Sequence, residues 1–183
     1  MAELKFLKVV TYFLENPYQE NYLRQLAKKL KISPFAVKKY IDILTKEELI
    51  EDKRIANLRY FKPNINNLFF RYLKIAFNLK QILKSGILEF FRKNINNLSS
   101  IVLFGSMAKG ENDKNSDIDI LIIGNKQYVD LIKFEQRLGM EINMHIFSWA
   151  EWNKKAKEDV AFYNDVTHYG ISLYGELPLV KWK

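Results

Sequence analysis

Asp117 and Asp119 stand one residue apart in "SDIDILIIG", and ten intervening residues separate Asp117 from the earlier pair Gly105-Ser106, in "FGSMAKG". Side chains alternate faces along a strand, so the two aspartates share one face while Ile118 and Ile120 share the other. Two carboxylates on one face repel each other unless a cation sits between them. The chain has no cysteine and only two histidines, His145 and His168, so such a cation must rest on oxygen. Magnesium meets that requirement and is usually shared with substrate phosphates. Gly105-Ser106 opens a turn from a short apolar strand, Ile101–Phe104, into a helical segment. Unpaired backbone N–H groups at such a turn suit a phosphate; Gly105 permits close approach and Ser106 adds a hydroxyl donor. A phosphate cradle beside a two-aspartate magnesium seat describes a nucleoside-triphosphate site.

The strands that position these residues are the buried runs Ile101–Phe104 and Ile118–Ile123, joined by the polar loop Gly110–Ser116. A later run, "GMEINMHIFS" (139–148), places Ile142, Met144 and Ile146 on a buried face and Glu141, Asn143 and His145 on the other, the one able to meet the aspartates. Residues from Trp149 to about His168 read as one helix, and "YGISLYGE" as a last short strand. Trp149, Trp152 and Tyr163 read as packing residues, Asp159 and Asp165 as solvated.

The arrangement Gly105-Ser106, ten residues, Asp117-Ile118-Asp119 resembles the DNA polymerase β-like nucleotidyltransferase superfamily, over about residues 87–176, and "GSMAKG…SDIDI" is most similar to its small prokaryotic and archaeal members. Gly170, Tyr174 and Gly175 fit the ending of such relatives. The resemblance implies that Gly105 and Ser106 bind the β and γ phosphates, and that Asp117 and Asp119 hold one or two magnesium ions. Lys109, where many relatives carry arginine, would neutralise triphosphate charge. The implied reaction moves a nucleoside monophosphate, AMP from ATP, to a hydroxyl and releases pyrophosphate. Some small members are antitoxins that adenylylate a partner HEPN-type toxin, which makes a toxin tyrosine one acceptor.

The resemblance also implies a third acid on a later strand, and by register that position is Asn143. Asparagine can coordinate magnesium through its amide oxygen, but it has no charge and takes no proton. Glu141, one pleat away with a longer reach, is the preferred substitute, ahead of His145 with its intrinsic pKa near 6.5. Asn143 keeps a second reading open, a DNA-binding regulator whose second domain binds nucleotide without turning it over.

The front third suits DNA or, if its lysines are only solvated, a protein-protein adaptor, and the charge excess favours DNA. Residues 3–16, 22–30 and 34–44 carry helical apolar spacing, with a tight Lys31-Ile32 turn, Ser33 as cap and Pro34 in the first helical position. Leu49–Lys53 and Leu58–Lys62 then flank a basic tip, as in a β-hairpin. This order resembles a winged helix-turn-helix. Ser33, Phe35, Lys38 and Lys39 would face the major groove of duplex DNA, with Lys53, Arg54 and Arg59 on the wing against the backbone or minor groove. Residues 1–66 hold 13 lysines and arginines against 8 acids, within a formal charge of +8 for all 183 residues, which favours a polyanion.

The expected architecture is therefore α/β (α+β): a winged helix over 1–66, a helical connector over 67–97 broken at Ser85-Gly86, and a nucleotidyltransferase domain with a mixed sheet over 98–183. The aromatic stripe of the connector suits a homodimer. No apolar run approaches the roughly 20 residues of a bilayer span and no signal peptide is visible, so a cytoplasmic protein without membrane contact is expected.

Overall fold

The computed structural model describes residues 2–56 and 58–181. They form two units that divide between Lys74 and Ile75.

The first unit runs α1 (Ala2–Glu15), β1 (Asn21–Tyr22), α2 (Leu23–Leu30), α3 (Pro34–Lys46), β2 (Ile50–Ile55) and β3 (Leu58–Pro63). The α2–α3 turn forms as its residues dictate. Lys31 takes the left-handed conformation at φ 55°, Ser33 Oγ accepts from the Ala36 amide at 3.3 Å, and Pro34 starts α3. Val9, Phe13, Leu26, Val37, Ile41 and Phe61 are buried in its core. β1, which no periodicity announces, adds a third strand in the order β1-β3-β2, all antiparallel. Asn21 is fully buried there, and its carboxamide oxygen accepts from the Tyr12 hydroxyl at 2.6 Å, which removes the cost of an unpaired polar group.

The second unit begins within α4 (Leu68–Ser85) and continues through α5 (Ile87–Asn94), β4 (Ser100–Phe104), α6 (Gly105–Lys109), β5 (Ile118–Ile123), α7 (Ile132–Leu138), β6 (Ile142–Phe147), α8 (Trp149–Glu158), α9 (Val160–Tyr169) and β7 (Ile171–Tyr174). Its sheet has the order β6-β5-β4-β7 and is mixed: β5 and β6 are parallel, the other pairs antiparallel. A parallel pair needs a crossover, and the segment containing α7 supplies it.

Helices cover both faces of this sheet. Ile101, Leu103, Ile118, Ile120 and Ile122 pack on one side with Ile82, Ile87 and Phe91. Val102, Phe104, Leu121 and Ile123 pack on the other with Trp152, Ala156, Tyr163 and Val166. β5 is consequently apolar throughout, "IDILII", with Asp119 its single polar side chain.

The C-terminal helix differs from the single helix expected. It is two helices, broken at Asp159, whose φ of −134° leaves the helical region and whose carboxylate accepts from the Phe162 amide at 3.1 Å and from Lys155 at 2.9 Å. A side chain that caps a new N-terminus competes with helix continuation. Among the described residues no helix is long and apolar enough to cross a membrane.

Candidate active site

Strand register assembles the site. Phe104 at the end of β4 pairs with Asp119, and Asp119 pairs in turn with Asn143 on β6. Gly105 leaves β4 beside Asp119 at φ +68°, so near that a Cβ built on it would lie 2.2 Å from Asp119 Oδ2. The glycine-serine turn and the second aspartate are thus held against each other by a missing methyl group and a positive φ that glycine tolerates best. The Ser106 carbonyl accepts from the Glu111 amide at 2.9 Å. The Ser106 hydroxyl has no hydrogen bond among the described residues.

The ten-residue spacer is pinned from α4. Asn78, almost wholly buried, donates from Nδ2 to the Met107 carbonyl at 2.9 Å and to Asn112 Oδ1 at 2.7 Å, and Asn112 is equally buried. These residues escaped sequence reading because asparagine carries no signal of burial, and their partners lie 29 and 34 positions away.

Asp117 is exposed immediately before β5, while Asp119 is half-buried. The Asp119 carboxyl is pushed above its ordinary range, first by burial. The Asn143 amide, donating to Asp119 Oδ1 at 3.1 Å, and the charge of His145 pull it back down, while Asp117 and Asp165 push it further up. Asn143 therefore acts here as a donor that orients Asp119. Glu141 is exposed at the start of β6, its backbone carbonyl accepting from the Ile118 amide at 2.9 Å. His145 lies between the rings of Phe104 and Phe162, at 5.6 and 5.4 Å between centroids, and burial lowers its pKa.

Lys109 Nζ sits 2.5 Å from Asp165 Oδ1 on α9 and 5.0 Å from the centroid of the Tyr169 ring. Asp165, read from sequence as solvated, is instead a half-buried ion-pair partner. The oxygen donors able to hold a cation are Asp117 and Asp119; among the described residues no three His, Asp or Glu side chains converge to hold one.

In the first unit, Phe35 stands 83% exposed on the outward face of α3 with Lys38 and Lys39. Lys53 pairs with Glu20 at 2.5 Å, and Arg59 pairs with Asp52 at 2.6 Å and Asp42 at 2.9 Å. Arg54 has no acid partner among the described residues.

A mixed sheet carrying Gly-Ser at the end of one strand and Asp-x-Asp at the start of its neighbour has counterparts among known proteins. A family model described as a nucleotidyltransferase domain matches residues 84–165. The chain is 37% identical over 81 residues to the "Putative protein adenylyltransferase MJ0604" of Methanocaldococcus jannaschii, a match spanning 42% of this chain and 79% of that protein. It is 29% identical over 97 residues to MJ0141 of the same organism, which bears the same description, across 48% and 95%. The chain belongs to the nucleotidyltransferase domain family. Among solved structures, a toxin–antitoxin crystal structure with AMP-PNP aligns at 24% identity and a TM-score of 0.37, over 53% of this chain and 73% of that one. A mutant of the MntA–HpeT toxin–antitoxin aligns at 22% and 0.36, over 49% and 70%.

Two outcomes follow from the Gly105–Asp119 apposition. Gly105→Ala should destabilise the chain by about 1–3 kcal/mol in denaturant titration, and the penalty should shrink in an Asp119→Ala background, where the colliding carboxylate is gone. Asp119, with a folded pKa above its unfolded value, favours folding only below the ordinary carboxylate range near pH 4, and that contribution is lost as pH rises through the raised value. Metal-free Asp119→Asn should therefore melt above wild type at pH 7, with the gap closing as the pH falls through the raised value and gone below about 4.

Proposed function

We propose that this protein transfers AMP from ATP to a hydroxyl of a protein acceptor, with magnesium held by Asp117 and Asp119. The observation that carries the reading is the apposition of Gly105 and Asp119, which brings the glycine-serine turn against the second aspartate and supports a phosphate cradle beside a metal seat. Family membership and the adenylyltransferase names of the two archaeal relatives point the same way. Two carboxylates suit magnesium, which takes one or two from protein and completes its shell with phosphate oxygens and water. Asp119 in particular gains from a cation, because burial and the neighbouring Asp117 disfavour its charge.

When bound, the metal would polarise the α phosphate and stabilise the departing pyrophosphate. The chain does the rest. Gly105 admits the phosphate tail against the backbone, the Ser106 hydroxyl donates to a phosphate oxygen, and Lys109 neutralises triphosphate charge. Asn143 holds the Asp119 carboxylate in place by donating to Oδ1. A tyrosine of a partner toxin is the acceptor that the superfamily resemblance suggests.

Incubation with α-labelled ATP and magnesium tests the reading. Label should pass to protein, or pyrophosphate be released, and both should fall at least 10²-fold in Asp117→Ala and Asp119→Ala. ATP binding with no label moved would instead favour a regulator that senses nucleotide.

The first unit supports a second reading, a winged helix that binds duplex DNA through α3. The observation in its favour is the outward face of α3, where Phe35 and two lysines stand exposed with no acid partner on either lysine among the described residues. Because Lys53 and Arg59 already hold acids, contact with phosphate falls to Lys38, Lys39 and Arg54. In titrations of random duplex DNA, Lys38→Ala and Lys39→Ala should each lower the slope of log affinity against log salt by about 1, and Lys53→Ala should leave it unchanged.

A further inference from the structure

Asn143 leaves the site one acid short of what proton removal from an acceptor hydroxyl requires, and three side chains compete to make good the loss. Glu141 points into solvent at the start of β6 and is absent from the charges acting on Asp119, which are those of His145, Asp117 and Asp165. His145 is wedged between two phenylalanine rings, and burial disfavours its protonated form. Asp165 has neither defect.

Asp165 stands on α9, which covers the face of the sheet that bears Asp119 and Asn143. Phe162, one turn earlier on α9, meets the rings of Phe104 and His145. Phe104 is the direct cross-strand neighbour of Asp119, and His145 is two residues beyond Asn143 on the same face. The Asp165 carboxylate is half-buried and holds Lys109, four residues after Gly105, at 2.5 Å. Among the described residues no three acids or histidines converge on a metal position, so Asp165 is not a third ligand. A carboxylate whose charge acts on Asp119, yet that forms no three-acid cluster with Asp117 and Asp119 among the described residues, is placed to accept a proton.

We infer that Asp165 is the general base of this chain, held by Lys109 until a triphosphate draws that lysine away. The inference rests on the adenylyl-transfer reading above. In the step, the acceptor oxygen forms a bond to the α phosphorus and its O–H bond breaks, the proton passing to Asp165. The bond from the α phosphorus to the bridging oxygen breaks, and its electron pair leaves with pyrophosphate. Asp165 returns the proton to water afterwards. Lys109, having left Asp165, neutralises the triphosphate, so nucleotide binding itself uncovers the base and precedes acceptor chemistry.

The test compares wild type with Asp165→Asn, Lys109→Gln and the double variant Asn143→Asp/Asp165→Asn, using two readouts. One is total label moved from α-labelled ATP, to protein or to water. The other is calorimetric binding of α,β-methylene ATP with magnesium, an analogue that cannot react. Asp165→Asn should lose about 10²-fold or more in label transfer. It should bind the analogue as tightly as wild type or several-fold tighter, because the Asp165 carboxylate no longer competes with the triphosphate for Lys109. Lys109→Gln should weaken analogue binding, and the double variant should recover at least tenfold of the lost transfer through the acid restored at position 143.

Unimpaired transfer by Asp165→Asn in an active wild-type background overturns the inference alone. So does a loss of transfer matched by weakened analogue binding, early melting shared with Lys109→Gln, and no recovery in the double variant. Those results would make the ion pair a structural tie between α6 and α9. A wild-type chain that binds the analogue and moves no label overturns the proposed transfer, and with it this role.

Discussion

The second unit depends on a lateral register, Phe104 beside Asp119 beside Asn143, closed at one end by a glycine whose missing Cβ makes room for a carboxylate. β5 is packed with helices on both faces, and such a strand is expected to be apolar throughout. Asp119 breaks that pattern at the edge of the packed region. Its charge is disfavoured by burial and by Asp117, and only partly supported by the Asn143 amide and His145. A position that destabilises the empty chain and gains from a bound cation is what a binding site looks like in thermodynamic terms, since anything that binds the folded state alone adds stability by mass action.

Asparagine in the place of a third acid changes the electrostatics in a definite direction. Three carboxylates around one or two metal ions would hold them tightly without substrate. Two carboxylates and an amide leave more of the metal's charge to be met by the triphosphate, so metal and nucleotide are expected to bind as a unit. Asn143 meanwhile gives Asp119 a hydrogen bond that a carboxylate could not donate at neutral pH. The substitution exchanges metal affinity for the positioning of one ligand. On the inference drawn above, it would also move the proton-accepting duty off the sheet and onto α9.

The parts of this architecture that local patterns encode were legible. The period-two alternation of Asp117 and Asp119, the Ser33-Pro34 helix start and the apolar strands β4 and β5 can all be read within a few residues. What the sequence hid are pairings between distant positions. Asp165 reads as a solvated helical acid until Lys109, 56 positions earlier, is seen to meet it. Lys53 and Arg59 read as a basic wing until Glu20, Asp42 and Asp52 are seen to hold them. The break at Asp159 escaped because the polar periodicity on its two sides is continuous, and the capping that ends one helix and starts the next is a single side chain's choice. β1 is two residues long and exists only because β3 offers it an edge.

Charge balance then orders events at the site. In this structure the charges of Asp117 and Asp165 both act on Asp119, and Lys109 pairs with Asp165. A single charge pair a few ångströms apart near a surface is worth only a few kcal/mol at most. That is little enough for the several negative charges of a triphosphate to compete for the same lysine. On the proposed adenylyl transfer, losing Lys109 would leave Asp165 charged beside a site that holds a metal and an electrophilic phosphorus. On that proposal Asp165, deprived of Lys109, is the acid left in want of a positive partner, and a hydroxyl proton would supply it.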